Sequence, residues 1–401
     1  MRIKAHILFL ILSVFYVEYC AAELSPTIRF DFYGEVIEFP RNAFAEIAVD
    51  DTLSDDALGS YYAQATASDY LPVVTALLNY RQKHNPDDWV YYQLIRRTAS
   101  AIAPKVDNYH RYTLYKCFLL GKSGYEVALE TNGSKLLFFV QSNEDIYDVP
   151  SFSRLDKQYV CLNYHDYDFK LDPDREKRYY FPASQDGPSR SFSYKLTSLP
   201  EFRQDNYHEK NLAFTYRNMD YSFKVKLSDE VKDMFKNYPV ADYGLYFNLP
   251  LSKETYNTLI PQLKKAVNGL SEKNGIDYLM NFTRYAFPYE ADNENFGREK
   301  RLSPEQTLLY EHSDCEDRAA LFYCLVKEVY NLPMIVLAFP KHVAIGVNLG
   351  TPVGRQIHYN SASYSVCEPT PQSGELPIGA LAPDLRRANY EVAYSYSPTD
   401  K

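Results

Sequence analysis

A chain of 401 residues has room for two or more domains with full cores. Its 46% hydrophobic and 24% charged content is the balance of a folded globular protein and excludes a disordered or fibrous one. The formal net charge of −9, with no basic run to override it, excludes nucleic acid and an anionic membrane surface as main partners.

The first residues read as an export signal. Arg2 and Lys4 form a positive start, Ile7 to Val17 is an apolar stretch too short to span a bilayer, and Cys20-Ala21-Ala22 offers small residues for cleavage before Glu23. No later segment is apolar enough to span. The expectation is an exported protein, periplasmic or extracellular, soluble after cleavage near Ala22 and without stable membrane insertion.

Beyond residues 1–22 the chain reads as two related lobes, 23–200 and 201–401. Each opens with alternating strand-like segments, Ile28 to Phe39 and Leu212 to Leu227. A helical hairpin follows in each. Leu71-Pro72, Leu78-Asn79, Asn85 and Asp88-Trp89-Val90 match Ile260-Pro261, Val267-Asn268, Asn274 and Asp277-Tyr278-Leu279 at a constant offset of 189, with breaks at Asn85-Pro86 and Asn274-Gly275. Arg111, Leu114 and Cys117 then match Arg318, Leu321 and Cys324 at an offset of 207, Lys135-Leu136 matches Lys341-His342, and Val160-Cys161-Leu162 matches Val366-Cys367-Glu368. The 18 residues by which the offset grows fall within 288–310, just before Cys315. There Tyr289, Glu290, Asp292, Phe296, Arg298, Glu299, Lys300 and Arg301 are placed to wall a substrate cleft.

Three stretches of the second lobe carry chemistry. In Ser313-Asp314-Cys315-Glu316-Asp317-Arg318 a polar turn becomes a helix, because Ala319, Ala320, Phe322, Tyr323, Val326 and Val329 recur at helical spacing. Ser313 and Asp314 suit the N-cap, and Glu316 and Asp317 suit the first turn. Cys315 therefore opens a helix, where unpaired N–H groups and the dipole favour thiolate while the neighbouring acids oppose it. An imidazolium partner is needed. His342 opens the strand-like run His342 to Val347, after Met334 to Phe339 and a break at Pro340. Glu368 ends a further strand, Tyr364 to Cys367, before Pro369. Nucleophile, base and orienting carboxylate are the three parts of a thiol catalyst. His312, Cys315, His342 and Cys367 lack metal-ligand spacing, and no metal or other cofactor is expected.

These motifs resemble the transglutaminase-like superfamily, in which a D-C-x-D helix start, an H-V-A-[IV] strand and a V-x-[DE]-P-T strand end recur in this order. The resemblance covers the last third to half of the chain. It implies an α+β fold of two tandem transglutaminase-like lobes, of papain-like cysteine-protease type, each with a helix packed on an antiparallel sheet. It also implies that Cys315 is the nucleophile, His342 the base and Glu368 the orienting acid. Ser313 stands where glycine is common and Glu368 where aspartate is more frequent. The family's upstream tryptophan is missing, since the chain's only one is Trp89. Gln306, in Pro304-Glu305-Gln306, is then the candidate side-chain oxyanion donor.

By the same alignment the first lobe carries Asn108, Leu136 and Leu162 at the catalytic positions and should be inert. Cys117 with Cys324 and Cys161 with Cys367 are repeat-equivalent pairs. Sequence leaves open a disulfide in each lobe or four buried thiols, with Cys315 unpaired in both cases. The expected activity is a cysteine peptidase or amidase that hydrolyses an amide of a protein or peptide, such as an envelope component, through a thioester. Crosslinking acyl transfer to an amine, and a binding module that keeps the fold without turnover, are the alternatives.

Overall fold

A computed structural model describes residues 26–49, 53–132, 135–167, 177–179, 189–289, 300–371 and 376–398. The expected export segment, and Glu290, Asp292, Phe296, Arg298 and Glu299, lie outside the described residues. Among the described residues no helix is long and apolar enough to cross a membrane. The architecture is α+β.

The first half opens with the hairpin β1 (Thr27–Phe32) and β2 (Glu35–Pro40). Tyr33 and Gly34 both take left-handed φ, 50° and 84°, in the two-residue turn whose twist suits an antiparallel pair. Ile28, Phe32, Ile37 and Phe39 face the core. Helices α1 (Asp55–Ala67), α2 (Leu71–His84), α3 (Asp88–Ile102) and α4 (Tyr109–Lys122) follow. Asn85, left-handed at φ 42°, ends α2 at the expected break. The strands after α4 are β3 (Val127–Asn132), β4 (Lys135–Ser142), β5 (Ile146–Tyr147), β6 (Ser151–Arg154), β7 (Lys157–Cys161) and β8 (Lys177–Tyr179).

The second half follows the same broad order of hairpin, helices and sheet, with added elements after its hairpin. Its hairpin, β9 (Tyr207–Tyr216) and β10 (Met219–Ser228), turns through Arg217 and Asn218 with φ 49° and 60°. After α5 (Glu230–Phe235), β11 (Val240–Ala241) and α6 (Tyr243–Tyr246) come the helix pair α7 (Lys253–Val267) and α8 (Glu272–Tyr285), then α9 (Pro304–Leu309) and α10 (Cys315–Val329). The final strands are β12 (Met334–Phe339), β13 (His342–Val347), β14 (Gln356–Tyr359), β15 (Ala362–Cys367) and β16 (Glu391–Tyr396).

Each half thus builds a five-stranded antiparallel sheet, β6-β7-β4-β3-β8 and β14-β15-β13-β12-β16. Counted in chain order within each sheet, both run 3-4-2-1-5. The halves interlock: β5 pairs with β11, the indole N–H of Trp89 donates to the Met234 carbonyl at 2.8 Å, and one apolar core runs through both. Cys117, Cys161, Cys324 and Cys367 are buried free thiols, which decides between the two states left open by the sequence.

Register makes the repeat specific and corrects its alignment. Phe139 pairs with Cys161 as Ile345 pairs with Cys367, so Leu136 stands where His342 does and Leu162 where Glu368 does, both 206 positions earlier. Asn108 is not in its helix's first turn. It is the N-cap of α4, its side chain accepting from the Arg111 amide at 2.8 Å, as Asp314 is the N-cap of α10. The counterpart of Cys315 is therefore Tyr109, and the helix match slips by one residue. The offset of 189 over the helix pair also fails: Pro72 lies in the first turn of α2, whereas Pro261 lies inside α7. The break between α7 and α8 falls at Asn268–Ser271, around Gly269 at φ 82°, and not at Asn274-Gly275. Gly275 is in the first turn of α8, where a Cβ would meet the Tyr330 hydroxyl at 1.6 Å. It serves packing rather than a turn.

A second glycine shapes the neighbourhood of His342. Gly379 donates to the Val366 carbonyl and accepts from the Arg355 amide, both at 2.7 Å, laying the segment 376–388 against the sheet. Its φ is 83°, and a Cβ there would fall 2.3 Å from the Val353 carbonyl oxygen. Gly379→Ala should cost about 1–3 kcal/mol from backbone strain alone. Denaturant unfolding checks this, and unchanged stability contradicts it.

The first half carries an unusual burden in α4. Lys116 is fully buried, its ammonium 4.4 Å from the Tyr112 ring centre and without a hydrogen-bond partner among the described residues. Burial pulls its pKa down to about 7, against the opposing pull of Asp166. An unfolded lysine keeps its proton to about pH 10. The cost is therefore fully present below about pH 7 and is relieved as pH rises from there towards about 10. Lys116→Met should stabilise the protein by about 1–3 kcal/mol near neutral pH and by clearly less near pH 10, as read by thermal unfolding at both.

Candidate active site

The start of α10 is over-determined. Asp314 accepts from the Glu316 and Asp317 amides at 3.0 and 3.1 Å, and Asp317 accepts from the Asp314 amide in return. The buried Asp317 also receives the Leu302 amide at 2.7 Å and the Tyr246 hydroxyl at 3.2 Å. One turn into the helix, Arg318 has no exposed surface and donates to the carbonyls of Thr283, Arg284, Phe287, Pro288 and Ser313. Burial pulls this guanidinium down to about 10, against Asp317. It ties the helix carrying Cys315 to the end of α8.

Cys315 is the first residue of α10 and is partly exposed. Burial pushes its thiol pKa up, and Asp314 and Glu316 push it further, opposed by a hydrogen bond from the Val343 backbone. The helix start alone does not yield thiolate, and the sulfur rests beside the residue that follows His342. His342 opens β13, and its Nε2 lies 2.7 Å from Glu368 Oε2. The other carboxylate oxygen, Oε1, accepts from the Thr370 amide at 3.0 Å. The Glu368 side chain has no exposed surface and that of His342 retains 13%. With Nε2 engaged, Nδ1 is the ring nitrogen left to exchange a proton with sulfur.

His342 and Glu368 are thus in direct contact, while Cys315 lies by the Val343 backbone and, among the described residues, makes no hydrogen bond to the imidazole. Gln306 is not joined to them by any hydrogen bond. It occupies the third position of α9, where its Oε1 accepts from the Ser303 amide in a capping box, and its Nε2 has no partner. A cavity of about 330 Å³ opens beside His342, lined by Phe339, Lys341, Ala382, Asp384 and Leu385. Cys315 does not line this cavity, so it is not the cleft expected beside that residue. On the acidic side of Cys315, Arg301 approaches Glu316 at 3.5 Å, lies 4.6 Å from the centre of the Tyr243 ring and donates to the Ala241 carbonyl. Burial and then Glu316 raise the Tyr243 phenol to about 12, Cys315 adding to the effect. Tyr289 forms a backbone bridge with Ser313, so the described start of the extra segment runs beside the turn that leads into Cys315.

The equivalent place in the first half is filled differently. The Tyr109 hydroxyl donates to Asp166 at 2.8 Å and accepts from Asn163 at 3.0 Å. Leu136 and Leu162 are buried, and the Leu136 carbonyl accepts from Asn163 and Tyr167. Phenol and two leucines supply neither a thiolate nor a base.

No family model, curated protein or solved structure matches this chain. Its function must be read from the site itself.

The residues that sequence reasoning missed are Arg284, Tyr243 and Thr370, together with the role of Arg318. Arg284 and Arg318 left a faint signal: arginines flanked by apolar residues, in Phe282-Thr283-Arg284 and Arg318-Ala319-Ala320. Exposure and pKa set one further expectation. Cys161 and Cys324 are pushed up to about 12 by burial, and Cys117 and Cys367 are also held up by burial. In folded protein, iodoacetamide should modify Cys315 well before these four. Peptide mapping reads the outcome, and equal labelling of the five would contradict this picture of the site.

Proposed function

We propose that the chain is a transglutaminase-like cysteine hydrolase of amide bonds, exported after loss of residues 1–22, with a catalytic second lobe and an inert first one. The observation that carries this reading is the 2.7 Å contact between His342 Nε2 and the buried Glu368, beside a cysteine at a capped helix start. The order of motifs and the identical strand order of the two sheets support it. The substrate class is a carboxamide or peptide bond of a protein or peptide.

The chemistry follows from the atoms present. His342 Nδ1 takes the Cys315 proton, and the ion pair lowers the cost of a thiolate that burial and acids otherwise oppose. Sulfur attacks the carbonyl carbon, forming C–S while the C=O electrons move to oxygen. Asp314 takes the amides of Glu316 and Asp317, which leaves the Cys315 amide to face that oxyanion. Imidazolium then protonates the amine nitrogen, C–N breaks and a thioester remains. Water loses a proton to His342 as it attacks, C–S breaks, sulfur regains the proton, and the acid leaves. Glu368 orients the ring and balances its charge at each imidazolium stage.

Release of ammonia or amine from glutaminyl peptides and peptide anilides tests the reading. Cys315→Ala should abolish release while leaving the fold intact, since the side chain is partly exposed at a helix start. Glu368→Gln, able to orient the ring but not to balance imidazolium, should lower kcat by at least about a hundredfold. Full activity in a folded Cys315→Ala variant would end the assignment. Incorporation of an added amine in place of water would move the reading to crosslinking.

A further inference from the structure

Resting on the thiol-hydrolase reading, we propose that Arg284 is a positioning residue for the triad, fixing the peptide that carries Glu368 relative to the helix that carries Cys315. Arg284 lies in the last turn of α8 and is 4% exposed. Among the described residues no carboxylate oxygen accepts from it. Its Nε donates to the main-chain oxygen of Glu368 at 2.7 Å, Nη2 converges on the same oxygen, and Nη2 also donates to the Leu376 carbonyl at 2.9 Å.

The position of that carbonyl explains why such a clamp is needed. Pairing between β13 and β15 covers Ile345–Cys367, Gly346–Val366 and Val347–Ser365 and stops there. Glu368 is the first residue past the strand end, where the sheet no longer fixes the backbone. The guanidinium takes over at that point. On its other side, the main-chain oxygen of Arg284 itself accepts from Arg318 at 2.9 Å. A continuous set of buried contacts therefore runs from the Cys315 helix through Arg318, the end of α8 and Arg284 to Glu368, and on to His342. Its length sets the separation of sulfur and imidazole.

The first half provides an internal control. Aligning α3 and α8 at their last residues puts Ala101 at the place of Arg284. Aligning α4 and α10 at their caps puts Tyr112 at the place of Arg318. By these alignments neither position is an arginine in the first half, where the half-buried Arg96 of α3 instead bonds Tyr112, although the sheet has the same strand order. The arginine bridge from the helix end to the residue after the fourth strand is therefore particular to the second half.

The test is the pH profile of Cys315 alkylation by iodoacetamide in the full chain, read by peptide mapping for wild type, His342→Ala, Arg284→Lys and Arg284→Gln. Imidazole-assisted thiolate appears as a rate limb persisting to about pH 6, which His342→Ala removes. A displacement of about 1 Å can cost on the order of a hundredfold. Arg284→Gln should lower the rate at pH 6–7 by about that factor, and Arg284→Lys, which keeps one donor, by about tenfold. Rates near pH 11 should stay within about twofold of wild type, because hydroxide and not the neutral imidazole takes the thiol proton there. General loosening would instead expose Cys324 and Cys367 and raise labelling at every pH. An unchanged low-pH limb in Arg284→Lys overturns the proposal whether or not Arg284→Gln folds. A wild-type profile with no limb for His342→Ala to remove would instead sink the triad reading, and the two failures are distinct.

Discussion

A carboxylate with no exposed surface must be compensated by the protein, and the second half is organised around meeting that need at Glu368. The Thr370 amide takes one oxygen and His342 Nε2 the other. The compensation is more than solvation replaced, because an imidazole held by its Nε2 presents Nδ1 in a fixed direction. Cys315 needs the resulting charge. Partly buried and next to Asp314 and Glu316, its thiol resists ionisation unless an imidazolium stands close. In the proposed mechanism the two unfavourable placements are complementary, with the histidine serving both.

Two halves with one strand order show how such a site can be made or unmade without changing the fold. The backbone positions survive: a capped helix start, a second strand opening and a fourth strand end, in matching register. In the first half Tyr109, Leu136 and Leu162 occupy them, and the Tyr109 phenol is tied to Asp166 and Asn163 instead. The first half has its own polar cost in Lys116, which no hydrogen bond among the described residues offsets. Its contribution is to the shared core, through Trp89 and the pairing of β5 with β11.

Local patterns made much of this legible. The hairpins, the Asp314 cap, the helix after it and the strand positions of His342 and Glu368 all follow from spacing over a few residues, and all are present. What sequence misplaced depends on contacts distant in the chain. Gly275 reads as a break but answers to the Tyr330 hydroxyl, and Pro261 reads as a repeat of Pro72 but lies within a helix. The slip from Tyr109 to Asn108 arose because a cap and a first helical residue look alike when neighbouring helices are matched by their apolar positions. Strands β14 and β16 carry weak alternation and were not anticipated, and Arg284 resembles any polar residue on an amphipathic helix.

The central claim is that Cys315, His342 and Glu368 act as one unit on an acyl group. Its most direct measurement is the pre-steady-state reaction with p-nitrophenyl acetate, followed by intact-mass and peptide mapping. The account predicts a burst of one nitrophenolate per chain and an acetyl thioester on Cys315 that water then clears. That burst should be absent from Cys315→Ala and strongly slowed in His342→Ala. No burst from folded wild-type protein, or acetylation that spares Cys315, would contradict it.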